Sequence, residues 1–61
     1  MSIIKIVSIN QHILAVYYTS CDCYKYSIID DYGTVYQPDD IFYIASAAER
    51  EGREAINTVS S

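Results

Sequence analysis

The chain has 61 residues, with eight acidic against four Lys and Arg side chains, a formal net charge of −4 and a pI near 4.5. That balance argues against a nucleic-acid backbone or an anionic membrane as ligand, because neither attracts an acidic surface. One domain spanning residues 1–61 is expected, and a chain this short buries only roughly 60% of its unfolded surface. With 51% apolar residues but only two Cys and one His to staple the fold, the expected supplement is a partner chain rather than a disulfide or a metal.

At the start, Ile3, Ile4, Ile6 and Val7 are interrupted by Lys5 and give way to Ser8, Asn10 and Gln11. This is too short an apolar core for a secretory signal, and no stretch reaches the length of a membrane span. A cytoplasmic location is therefore expected. The β-branched run from Ile3 to Ile9 reads as a strand closed by a turn at Asn10-Gln11. A tight hairpin at that point lacks the glycine that usually marks one.

His12 to Thr19 reads as the second strand, Ser20 to Asp22 as a turn, and Cys23 to Asp30 as the third strand. In Asp30-Asp31-Tyr32-Gly33 the glycine can take the left-handed conformation that a short hairpin loop needs. A fourth strand, Thr34 to Gln37, returns beside the third and stops at Pro38, which cannot donate to a ladder. Ile41-Phe42-Tyr43 is either a short fifth strand or the approach to a helix.

The helix is expected to start at Ser46, where Ser46-Ala47-Ala48-Glu49 matches a capping box. Ala48, Gly52, Ala55, Ile56 and Val59 then share one face at a 3.6-residue period, opposite the charged Glu49, Arg50, Arg53 and Glu54. Gly52 costs about 1 kcal/mol relative to alanine in a helix interior, but it leaves a small face that can approach a sheet closely. The fold expected is α+β: an antiparallel four-stranded β-meander carrying one C-terminal α-helix on one face.

Strand residues alternate between two faces. Tyr24, Tyr26 and Ile28 oppose Cys23, Lys25, Ser27 and Ile29; Leu14, Val16 and Tyr18 oppose Ile13, Ala15 and Tyr17; Ile4 and Ile6 oppose Ile3, Val7 and Ile9. Both sets are largely apolar, whereas a meander with one wet face alternates cleanly. One helix covers one side, and the Tyr24, Tyr26, Ile28 side is the better fit. The other side, with Ile13, Tyr17 and Ile29, is then an exposed apolar surface of the kind that marks an interface. The most economical cover is an identical chain in a twofold dimer.

The remaining chemistry-bearing residues do not assemble into an active site. Cys21 and Cys23 supply at most half of a tetrahedral zinc site. His12, the other good ligand, falls at the far end of a strand roughly 20 Å long. Neither a metal nor a cofactor is expected, and no enzyme. Asp30-Asp31 and Asp39-Asp40 fall at opposite ends of the sheet without calcium-loop spacing, so they read as turn residues able to meet a basic partner. The seven tyrosines suit an interface, Tyr36 included, since each offers apolar area with a polar tip. They lack the basic interleaving that single-stranded nucleic acid requires.

These residues point to a non-enzymatic protein-interaction module, homodimeric, binding through Ile13, Tyr17, Ile29 and Tyr36 or through the acidic turns. The alternative is a small acidic inhibitor, encoded by a phage or mobile element, whose carboxylates stand in for phosphates on a basic target.

Overall fold

A computed structural model describes residues 2–60, with side chains described as far as residue 58. The elements are β1 (Ser2–Ile9), β2 (His12–Thr19), β3 (Cys23–Ile29), β4 (Val35–Tyr36) and α1 (Ala45–Ser60). The strands form one antiparallel sheet in the order β1-β2-β3-β4, with the helix packed across one face. The fold is the expected α+β meander with a C-terminal helix.

Each turn is built by residues that tolerate a left-handed backbone or bond their own main chain. Asn10 and Gln11 both have positive φ, 49° and 66°, and Ile9 pairs with His12 across them. That is the two-residue hairpin with left-handed central residues, formed here without glycine. Asp22, at φ 58°, closes the next loop, and the Tyr18 hydroxyl donates to its carboxylate. In the third turn Gly33 sits at φ 85°, and Asp30 Oδ1 accepts from the amides of Tyr32 (3.0 Å) and Thr34 (2.8 Å). A short side chain thereby satisfies two backbone donors that the turn leaves unpaired.

β4 is shorter than the expected Thr34 to Gln37, because only Val35 and Tyr36 pair with Ile29 and Ile28. The chain then leaves the ladder around Pro38 and rejoins it at Phe42. There the Tyr24 amide donates to the Phe42 carbonyl (2.6 Å), and the Phe42 amide returns a bond of 2.9 Å. Between Tyr36 and Phe42 lie six steps of sequence, against four between Ile28 and Tyr24. The outer strand therefore bulges by two residues, and Ile41-Phe42-Tyr43 continues that edge rather than forming a separate strand.

The register settles which face is covered. Leu14 pairs with Ile28, Val16 with Tyr26 and Tyr18 with Tyr24, and paired residues share a face. Leu14, Val16, Tyr26 and Ile28 form the core with Ala48 and Ile56 of α1. Phe42 and Tyr36 flank it, with ring centroids 6.1 Å and 6.4 Å from that of Tyr26. Gly52 is buried at the crossing, where an added Cβ would lie 2.4 Å from Leu14 Cδ1. Its missing side chain lets the helix sit this close. Val59, expected on the same face, lies outside the described side chains.

Two expectations about the ends of elements need correction. The helix begins at Ala45, not Ser46, and its first turn is closed by the Ala47 and Ala48 amides donating to the Ile44 carbonyl. Glu49 does not turn back to cap it. Its carboxylate instead accepts from Lys5 Nζ of β1 (3.2 Å) and Arg53 (2.8 Å), so a residue expected on the outer helix face ties the helix flank to the sheet. In β1, a bulge between Ile3 and Lys5 shifts the register, pairing Ile3 with Tyr17. Ile3 therefore lies on the same face as Ile6, not with Val7 and Ile9.

Candidate functional site

The helix leaves the second face of the sheet without a cover from the described residues. Across its middle run the pairs Ile13–Ile29, Ala15–Ser27 and Tyr17–Lys25. Ile6 stands beside Ala15, Ile3 beside Tyr17, and Val35 beside Ile29. The isoleucines stand out from this surface: Ile3 is 60% exposed, Ile6 61% and Ile13 44%, with Val35 at 54%. Tyr17 and Ile29 are half-buried, while Ser27 is buried between its larger neighbours. The surface is thus a shallow, small-residue centre at Ala15 and Ser27, bordered by bulky aliphatic side chains. Among the described residues it carries one cation, Lys25, and no carboxylate.

Ile13, Tyr17 and Ile29, expected to act together, are brought together on this face. Tyr36 is not among them. It pairs with Ile28 and faces the helix side, its ring near Tyr26. The acidic residues also stand apart. Asp30 is half-buried and committed to its own turn, Asp31 is exposed beside it, and Asp39 and Asp40 lie on the bulged outer edge. No single partner-binding patch includes all eight residues.

Reactive groups are dispersed. Cys21 is exposed in the β2–β3 loop and Cys23 is buried at the start of β3; both thiols are free. Cys23 Sγ lies 3.0 Å from Thr19 Oγ1. His12 is at the other end of β2, and its Nδ1–H donates to the Asn10 carbonyl (2.8 Å). Among the described residues, no three His, Cys, Asp or Glu side chains converge as a metal site, and no helix is long and apolar enough to cross a membrane.

The sequence did not disclose an open cleft of about 700 Å³ between the C-terminal half of the helix and the third turn, lined by His12, Ile28, Asp30, Thr34, Tyr36 and Ala55. With Thr58 of α1, its polar groups come from four separate elements, so no spacing in the chain signals it. Two of them are hydrogen-bonded to nearby backbone through one atom each, His12 Nδ1 and Asp30 Oδ1. Elsewhere, burial raises the Tyr26 hydroxyl above the ordinary tyrosine value, while hydrogen bonds from Arg53 and then Lys5 hold Glu49 below the usual carboxylate range. Both shifts belong to packing between helix and sheet. No family model, curated protein or solved structure matches the chain.

Proposed function

We propose that this protein is a non-enzymatic protein-interaction module that self-associates through its open sheet face in a twofold dimer. The observation carrying the proposal is the apolar, carboxylate-free face around Ile13, Ala15, Tyr17 and Ile29 on a chain whose net charge is −4. Acidic residues are kept off the one large flat surface, as an apolar contact requires. The face is also self-complementary in relief: bulky Ile6 and Ile13 of one copy can enter the shallow Ala15–Ser27 centre of the other.

Size is consistent with a dimer. Three strands about 4.8 Å apart and about 24 Å long, with the two-residue β4 beside them, have a planar footprint of roughly 380 Å² per copy. Accessible area exceeds planar area, so two copies bury on the order of 1,000 Å², the lower bound for a specific interface. We also assign the protein to the cytoplasm, a reading supported by its two free thiols.

The test is sedimentation at micromolar concentration. Ile13→Lys should halve the sedimenting mass while leaving the far-UV circular dichroism unchanged. The wild-type mass should hold as salt rises from about 0.05 M to about 0.5 M, because an apolar contact is not screened. A wild-type mass of one chain, or a mass unaffected by Ile13→Lys, would overturn the proposal.

A further inference from the structure

The two edges of the sheet are protected unequally. The β4 edge is two residues long, is followed by Pro38 and bulges before Phe42. Those are three of the devices that stop strands from pairing edge to edge. The β1 edge has eight residues, no proline, and exposed Ile3, Ile4 and Ile6; its bulge lies between Ile3 and Lys5 and leaves Lys5 to Ile9 as a regular run. Its single charge, Lys5, is on the helix side in contact with Glu49, so it does little to guard the edge.

The direction of the unpaired backbone groups follows from the register. Tyr24 exchanges both main-chain bonds with Phe42 on the far side of β3. Strand residues direct their N–H and C=O alternately to one side and the other. Cys23, Lys25, Ser27 and Ile29 therefore bond to Thr19, Tyr17, Ala15 and Ile13 of β2. The remaining β2 residues, His12, Leu14 and Val16, bond to Ile9, Val7 and Lys5. Ile6 and Ser8 are left with both polar groups aimed outward, where among the described residues no strand receives them.

We infer that β1 pairs antiparallel with β1 of a second copy, about a twofold axis perpendicular to the sheet and passing beside Ile6. Ile6 then exchanges both main-chain bonds with its counterpart, and Lys5 stands opposite the second copy's Val7. The register one step away would oppose Lys5 to Lys5, and like charges directly opposite destabilise a ladder. A perpendicular axis keeps both helices on one side, so the two open faces merge into a continuous apolar surface across eight strands. This contact uses the edge of the sheet and is independent of the face contact proposed above. With both contacts made, the assembly contains four chains.

Proline at position 6 tests the inference, because an outward N–H on an edge strand can be lost without breaking the protomer's own ladder. Sedimentation should give four chains for the wild type, two for Ile6→Pro, two for Ile13→Lys and one for the double variant. If Ile6→Pro leaves the mass unchanged, the edge pairing is wrong. If Ile13→Lys leaves the mass unchanged while Ile6→Pro halves it, the face reading fails and the edge pairing stands. Should Ile6→Pro not fold, amide exchange in Ile13→Lys decides the question. The Ile6 amide should exchange at least tenfold more slowly at high than at low protein concentration, and equal rates would overturn the inference.

Discussion

On one face of the sheet Leu14, Val16, Tyr26 and Ile28 disappear beneath Ala48, Gly52 and Ile56. One residue along the same strands, Ile13, Ala15, Tyr17 and Ile29 remain within reach of water. The side chains on the two faces are chemically similar, so hydrophobicity alone does not decide which are buried; the available cover does. A helix of 16 residues is about 24 Å long and about 10 Å wide, enough to roof two strands spaced about 4.8 Å apart. It lies over β2 and β3 and leaves β1 largely bare. The open face retains unused apolar area, worth about 25 cal/mol per Å² once removed from water, and that is the physical basis for the association proposed here.

The comparison breaks first at the core. Leu14→Ala should destabilise the protein by about 2–5 kcal/mol, enough to unfold most of a marginal 61-residue chain. Ile13→Ser, the adjacent residue facing the other way, should cost the isolated protomer less than about 1 kcal/mol. Urea denaturation of both variants at sub-micromolar concentration measures the contrast. Similar losses would mean that the open face is supported within the protomer after all.

A smaller effect sharpens the account of the covered side. Gly52→Ala adds a methyl group against Leu14, and overpacking of this kind costs about 1–3 kcal/mol. The gain of about 1 kcal/mol in helix propensity offsets part of that. Net destabilisation is expected in the wild type. In Leu14→Ala, where the obstructing side chain is gone, the same substitution should become stabilising. A double-mutant cycle by urea denaturation reads the change of sign.

The smallest effects are pH-dependent and belong to the helix-covered side alone. Tyr26 has a folded pKa raised by burial. The stability it contributes is fully present below the unfolded tyrosine value and is lost as pH rises through the folded one. Tyr26→Phe should flatten thermal stability above about pH 10. Glu49 has a depressed pKa, from its bonds to Arg53 and Lys5. Its contribution is present above the ordinary glutamate value and is lost as pH falls through the lower folded one. Glu49→Gln should remove that acid-side slope of the melting temperature, with a modest amplitude because the carboxylate is at the surface.

The candidate surface was only partly legible in the chain. Ile13, Tyr17 and Ile29 could be grouped because β2 and β3 pair without a shift, so strict alternation holds along both. Ile3 could not, because the bulge before Lys5 reverses the alternation and no glycine or proline marks it. Glu49 fitted a capping box by spacing, but its carboxylate is drawn to Lys5, 44 residues earlier. Tyr36 could not be assigned to a face until the pairing of β4 with β3 was known.

By itself the sequence determined the order of the strands, the three turns, the small helix face and the excess of apolar residues on both sides of the sheet. These follow from local backbone preferences and from side-chain periodicity, which act within a few residues. Tertiary structure alone decided the bulges in β1 and the outer strand, the partner of Glu49, the face that the helix covers and the edge left with unpaired amides. Each of those depends on where distant segments lie in space, and packing and pairing across the sheet set that, not the neighbouring letters.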